Sequence, residues 1–282
     1  MKRILTMQDL SCAGRCSLTE ALPVLSAMGL ETAVLPTAVL SSHTAFKNVY
    51  GTDLLDTDRE ILRSWKENGI TFDAIYIGYL GSTAAVNVAQ EVIVAFGNKI
   101  PILIDPAFGD HGRLYRGIDE DFPKTLCTIL TKATIICPNL TEACFLTGTP
   151  YREDFSDPQY QQLLKKLASI CDGTVILTGI DTGNGEIATL LSSGDGGYEK
   201  CAIAKEPASF HGTGDLWASA FIGACMRGMP AMDAMNLASR FVKKAIHITL
   251  LDHGEPLFGT EFERALPLLI NALPRDRVGG GD

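Results

Sequence analysis

Ala74-Ile75-Tyr76-Ile77-Gly78-Tyr79-Leu80-Gly81-Ser82 is a short apolar strand that runs straight into a glycine-bearing turn. A helix to about Phe96 follows, and then a second apolar strand, Ile100 to Ile104. Strand, helix and strand in about thirty residues is the pattern of two parallel strands joined by a right-handed crossover. The alternation extends both ways along the chain. Upstream, residues 2–8 read as a buried strand, a helix runs to Gly29, a strand covers 32–40, and a helix stops at Gly69. Ser17-Leu18-Thr19-Glu20 and Thr57-Asp58-Arg59-Glu60 have the form of capping boxes opening those two helices.

Downstream the pattern gives helix 119–131, strand 133–137, helix 140–148, helix 158–171 with Pro158 in its first turn, and strand 174–178. Residues 186–191 and 198–204 flank a Ser/Gly-rich turn and read as a β-hairpin. Helices at about 215–227, 231–250 and 261–272 complete the chain. The implied class is α/β, with a mostly parallel sheet covered on both faces. In such sheets ligands bind outside the C-terminal ends of the strands. The unusual loops fall there: 9–16, 41–52, 78–82, 105–117, 138–142, 178–185 and 205–214.

The 282 residues are 46% hydrophobic and 20% charged, which is ordinary for a globular chain with an ample core. A formal net charge of −9 argues against nucleic acid or an anionic membrane as partner. The eight cysteines are scattered without CxxC or zinc spacing, so reduced thiols and a cytoplasmic location are expected. No stretch approaches a membrane span and the first residues lack a signal-peptide pattern. Residues 277–282, Arg-Val-Gly-Gly-Gly-Asp, read as a frayed tail.

Chemistry is concentrated in Phe210-His211-Gly212-Thr213-Gly214-Asp215, which opens an apolar helical run. Glycines allow close backbone approach, and a helix N-terminus offers unpaired N–H groups to a phosphate. Asp215 could accept a proton beside that anion site, or merely cap the helix. The helix start should favour its ionised form, making it a weak base. Asp105-Pro106-Ala107-Phe108-Gly109-Asp110 could set a carboxylate near Mg²⁺, with the glycines letting the following residues move as a flap, or could be an ordinary surface turn. Asn139 and Glu142, three apart at a helix start, face the same way; they could hold metal-bound waters or a phosphate, or form a capping box. Ser41-Ser42-His43-Thr44-Ala45-Phe46 offers a hydroxyl, an imidazole and an aromatic ring to a small polar ring, although a lone His is more often structural.

Together these segments resemble the ribokinase-like superfamily, in its pyridoxal kinase branch. The resemblance runs almost end to end: Met7-Gln8 then Gly14, Ser42-His43-Thr44, Gly78-Tyr79-Leu80-Gly81-Ser82, Asp105-Pro106 with Gly109-Asp110, Pro138-Asn139 with Glu142-Ala143, and Gly212-Thr213-Gly214-Asp215. It implies one three-layer α/β/α domain over residues 1–276, ATP as phosphoryl donor, Mg²⁺, often a monovalent cation such as K⁺, a small-molecule vitamin as substrate, and a homodimer. Carried over by position, Asp215 is the base on the substrate alcohol and the amides of Gly212, Thr213 and Gly214 form the anion hole. Asp105, Asn139 and Glu142 belong to the metal and phosphate shell, with Asp105 and Glu142 nearest the metal. Asp110 and Tyr115 lie on the flap over ATP, and Thr178 contacts the nucleotide. Thr44, with His43 beside it, and Tyr79 line the vitamin pocket.

Two positions depart from the family pattern. Asp9 stands where a serine is usual, with Ser11 nearby, and Cys137 stands where a threonine usually precedes Pro-Asn. Hydroxymethylpyrimidine kinases of the superfamily use a cysteine in place of the aspartate of the glycine motif, and position 215 is Asp. The expected activity is therefore phosphorylation of the 5′-hydroxymethyl group of a B6 vitamer. The rival readings are a kinase for hydroxymethylpyrimidine or a sugar, and a non-catalytic vitamin-binding protein.

Overall fold

The structure, a computed structural model, describes residues 1–273; the tail read at 277–282 and the expected domain end at 276 lie outside the described residues. Nine strands form one sheet: β1 (Arg3–Ser11), β2 (Glu31–Leu40), β3 (Gly51–Asp53), β4 (Ala74–Ile77), β5 (Ile102–Ile104), β8 (Ile135–Ile136), β9 (Thr174–Asp181), β10 (Glu186–Ser192) and β11 (Tyr198–Ala204). Between β5 and β8 a two-stranded hairpin, β6 (Gly109–Asp110) and β7 (Arg113–Leu114), stands apart. The sheet order is β11-β10-β9-β8-β5-β4-β1-β2-β3. From β2 through β1, β4, β5 and β8 to β9 every pair is parallel; β3, β10 and β11 add antiparallel edges.

The helices are α1 (Leu18–Ala27), α2 (Leu55–Glu67), α3 (Thr83–Phe96), α4 (Phe122–Leu130), α5 (Leu140–Thr147), α6 (Asp157–Ala168), α7 (Thr213–Met226), α8 (Ala231–Leu251) and α9 (Leu266–Ala272). Alternate strand residues feed two cores, as the period of two requires. Leu5, Met7, Ile75, Ile77, Ile102 and Ile104 pack with α2 to α6 on one face. Ile4, Ala74, Tyr76 and Leu103 pack with α1, α7, α8 and α9 on the other. That is the expected α/β/α sandwich. It places the C-terminal ends of the parallel strands, and of β11, along one edge.

Local details differ from the sequence reading where side chains choose between competing partners. The capping boxes read at Ser17 and Thr57 do not form: neither helix start has a side-chain cap, and α2 begins at Leu55, two residues before Thr57. β1 runs on to Ser11, so Asp9 and Ser11 sit on a strand, not in a loop. β9 likewise extends to Asp181, which puts Thr178 on the strand and leaves 182–185 as the turn. The helix expected over 261–272 is split into a 3₁₀ turn at 262–264 and α9.

Candidate active site

The ends of β1, β2, β4, β5, β8 and β9 and the start of α7 meet at this edge. Gly212 precedes α7 with φ 81°, and a Cβ there would lie 2.4 Å from the Arg15 carbonyl oxygen, so only glycine fits. Gly214 is glycine for another reason. It is exposed, and a Cβ there would meet nothing within 4 Å, which leaves open space over the first amides of the helix. Thr213 begins the helix and donates its hydroxyl to the Phe210 carbonyl at 3.3 Å.

Asp215 keeps an open edge to solvent but is crowded by protein elsewhere. Its Oδ2 accepts the Ser17 N–H at 2.9 Å, across a sequence separation of 198. Ser17 adopts φ 47° and ψ −128°, a conformation rare for a residue with a side chain. The amide that a capping box would have left at the helix start is thus aimed at Asp215, and such local strain concentrates at functional sites. Burial pushes the Asp215 carboxyl up to about 7, Asp9 adds to the shift, and the Ser17 hydrogen bond opposes it. The expectation of a fully ionised, weak base at neutral pH is therefore corrected. Desolvation outweighs the helix terminus, and the group is poised where a general base works best.

Asp9 is buried, and burial raises its pKa. It does not stand unpaired: Ser11 donates its hydroxyl to Oδ2 at 2.8 Å, and the Ser17 side chain is a second partner. Ser17 thus links the two acids, its amide on Asp215 and its hydroxyl on Asp9. Opposite Asp9 the β1–β2 register shifts between Gln8 and Leu10, a bulge of the kind found beside active sites. Tyr79 sits after β4, hydrogen-bonded to Thr44, and burial with Asp9 nearby takes its phenol to about 12. His43 is buried with both ring nitrogens engaged: Nε2–H donates to the Leu257 carbonyl at 2.6 Å and Nδ1 accepts from Ala45 N–H at 3.4 Å. Its ring packs against His211 and Phe46. What His43 offers a ligand is a ring surface.

Asp105 and Glu142 are both buried, and Asp105 feels the charge of Glu142 and of Asp215. Glu142 Oε1 accepts from Phe108 N–H and Oε2 from Asn139 N–H, each at 2.9 Å, while Asn139 Oδ1 accepts from Glu142 N–H at 3.0 Å. The capping box exists here. It also does more, because Asn139 Nδ2 donates to the Gly109 carbonyl at 2.8 Å and Thr141 Oγ1 accepts from Gly112 N–H at 2.9 Å. The start of α5 therefore holds down the β6–β7 hairpin that carries Asp110, and Tyr115 just beyond it. Burial comes first in raising Asp105 well above the usual carboxylate range, followed by repulsion from Glu142 and Asp215; burial takes Glu142 up to about 8. The Tyr115 phenol is raised by burial and by the same acids, Glu142 foremost. Thr178 pairs with Pro138 through its amide at 2.9 Å and its hydroxyl at 3.3 Å, beside the start of α5.

Two features escaped the sequence reading. Tyr76, read only as a strand residue, points to the α7 face, where its buried phenol feels Asp215 and Asp105. A groove of about 550 Å³ opens at the end of β11 beside the loop leading to Gly212, lined by Ile203, Glu206, Arg240, Lys243, Lys244 and His247. Its basic residues recur every three or four positions along one face of α8, a pattern visible in the sequence but without meaning until β11 is placed beside it. Among the described residues no cluster of three or more His, Cys, Asp or Glu side chains has metal-site geometry, all eight cysteines are free, and no helix is long and apolar enough to cross a membrane.

A sequence model of phosphomethylpyrimidine kinase matches residues 24–256. A Bacteroides thetaiotaomicron protein, provisionally named a phosphomethylpyrimidine kinase and crystallised with pyridoxal, superposes with TM-score 0.90 at 34% identity over 97% of both chains. The pyridoxal kinase of Lactobacillus plantarum superposes with TM-score 0.90 at 28% identity, covering 96% of this chain and 97% of that one. A Schizosaccharomyces pombe relative, provisionally named a pyridoxal kinase, is 24% identical over 77% of this chain, and the match spans 65% of that relative's length. The near-complete superpositions agree with the ribokinase-like fold implied by the motifs.

Proposed function

This chain belongs to the phosphomethylpyrimidine kinase family, and from that premise we propose that it transfers the γ-phosphoryl group of ATP to the 5′-hydroxymethyl group of a B6 vitamer. The observation that carries the reading is Asp215 at the mouth of the Gly212–Gly214 turn, with a carboxyl of pKa about 7 held by the Ser17 amide. A phosphate over the open face of Gly214 would sit against the amides of the helix start, within reach of an alcohol oriented by Asp215. The alcohol oxygen attacks the γ-phosphorus, the bond to the ADP oxygen breaks, and the hydroxyl proton passes to Asp215. In such a loose transition state little covalent work is asked of the protein beyond positioning and charge stabilisation. The chain's similarity to a protein crystallised with pyridoxal supports the choice of alcohol. Asp9, Ser11, Thr44, Tyr79 and the His43 ring form the wall on the vitamin side.

The remaining contacts suit a nucleotide. Phosphates would run from the turn toward Asn139 and Thr178 under the β6–β7 hairpin, with Asp110 and Tyr115 above. The 550 Å³ groove by Glu206 and His247 is of a size for the base and ribose. Asp105 and Glu142 fit Mg²⁺. They are buried oxygen donors, burial raises the pKa of both and Glu142 raises that of Asp105 further, and Glu142 keeps lone pairs beyond those its amide bonds use. Bound there, the ion would neutralise phosphate charge. A monovalent cation and a homodimer follow from the family resemblance, and light scattering at about twice the 30.3 kDa chain mass tests the dimer.

The deciding experiment follows ATP consumption with pyridoxal, pyridoxine, pyridoxamine and hydroxymethylpyrimidine in turn. Turnover with a B6 vitamer is expected. Turnover confined to hydroxymethylpyrimidine overturns the choice of substrate, and MgATP binding without turnover of any of the four overturns the kinase reading.

A further inference from the structure

Glu20 stands in the first turn of α1, wholly buried, and neither carboxyl oxygen has a hydrogen-bond partner. It lies under the phosphate turn. The point where a Cβ of Gly212 would stand is 2.8 Å and 2.9 Å from its two oxygens, and 2.4 Å from the Arg15 carbonyl oxygen. Charged and titratable groups reach it from each neighbouring element: Asp215 on α7, Glu263 in the 262–264 turn, and Arg15 and Cys16 in the loop before α1. Arg15, the cation among them, gives its Nε–H to Glu263 at 2.7 Å.

An ionised carboxylate sealed in this way is costly, and burial followed by Asp215 and Glu263 raises its pKa well above the usual range against a weaker pull from Arg15. Burial and the neighbouring acids therefore favour the protonated form. Both Glu20 oxygens and the Arg15 carbonyl oxygen crowd the space where a Gly212 side chain would stand, and an ionised Glu20 would face that carbonyl oxygen with like charge.

We propose that Glu20 is a positioning residue of the phosphate turn: as an uncharged acid it supports the Gly212–Gly214 backbone from beneath, and on losing its proton it competes with bound phosphate for the same amides. The proposal rests on the phosphate-binding reading of that turn given above, and not on which alcohol is phosphorylated. A negative charge just behind the amides draws on the same positive potential as a phosphate in front of them. Phosphate binding should therefore be linked to protonation of Glu20. Asp215 and Glu142 also titrate in the accessible range, so the informative quantity is the difference between the wild type and a chain in which Glu20 alone cannot ionise.

The test is calorimetric titration of MgADP into the whole chain and into Glu20→Gln, from about pH 6.5 to about pH 9.5. Wild-type affinity should fall more steeply with pH than that of Glu20→Gln, by up to about tenfold per pH unit as Glu20 gives up its one linked proton. Equal slopes in the two proteins overturn the proposal. Thermal unfolding gives a second readout that needs no ligand. A folded-state pKa raised above the unfolded value gives stability that is present at low pH and lost as pH rises, so Glu20→Gln should unfold at a higher temperature than wild type at about pH 8, with the gap closing toward about pH 5. Parallel curves, or a variant that fails to fold, overturn the proposal, because an amide replaces a neutral acid without change of shape. A chain that shows the MgADP difference yet phosphorylates no B6 vitamer supports the proposal and overturns the substrate reading instead.

Discussion

Asp215→Asn should damage activity and raise stability together, and the two effects have one cause. The carboxyl is pushed from 3.8 to about 7, chiefly by burial. About three pKa units at 1.36 kcal/mol each is on the order of 4 kcal/mol that the folded chain gives up when Asp215 is ionised, less what its open edge to solvent returns. The sign is that of a raised folded-state pKa. The stability is fully present below the unfolded value near 3.8 and lost as pH rises through about 7. Asparagine avoids this loss while its amide oxygen can still accept the Ser17 N–H. The variant should therefore be more stable than wild type by roughly 2–4 kcal/mol at about pH 8, and by little at about pH 4. Turnover with a B6 vitamer should fall by about 10²–10⁴-fold, the range for loss of a general base, with MgATP binding little changed. In the wild type, kcat should rise through about pH 7, with about one-tenth of its plateau remaining one unit below. Chemical denaturation at the two pH values and steady-state kinetics on the same preparations decide it. Near-wild-type turnover in Asp215→Asn would refute the base assignment and leave Asp215 as a residue of the helix start. A stability gain that did not depend on pH would refute the burial argument.

The two glycines of the turn should fail differently. Gly214→Ala meets no protein atom and should leave the unfolding midpoint nearly unchanged while weakening MgADP binding, whereas Gly212→Ala forces a Cβ onto the Arg15 carbonyl and should cost about 1–3 kcal/mol. Equal stability losses in a denaturation experiment would count against the open phosphate space over Gly214. Asp9→Ser removes a carboxylate already bonded to Ser11, so a change of roughly tenfold in relative kcat/KM among pyridoxal, pyridoxine and pyridoxamine is expected, equivalent to about 1.4 kcal/mol. A uniform rise or fall for all three would show that Asp9 does not read the substrate. Far from the site, Asp58 in α2 is sealed from solvent with both oxygens unpartnered, and burial takes it to about 7. Asp58→Asn should gain roughly 2 kcal/mol at about pH 8, the gain vanishing near pH 4; a gain equally large at low pH would contradict the ionisation argument.

The sequence alone determined the layered fold. Ile4, Leu5, Met7, Ala74, Ile75, Tyr76 and Ile77 alternate between two cores, and the glycine and capping signals between strands leave little choice but parallel crossovers with loops on one edge. It also determined that Gly212, Thr213, Gly214 and Asp215 meet at a helix start, because that geometry is local. The same local reasoning failed at Ser17 and Thr57, where a capping pattern was present but the cap was not. At Ser17 the backbone instead turns its amide toward Asp215, and Glu20 is drawn under Gly212. At His43 the ring nitrogens were bound by Leu257 and Ala45, so neither is left for a ligand. Only the tertiary structure decided the charge state of the acids. A pKa is set by the summed desolvation and Coulomb effects of groups brought together from α1, β1, β5, α5 and α7, and such a sum has no trace in the spacing of neighbouring residues.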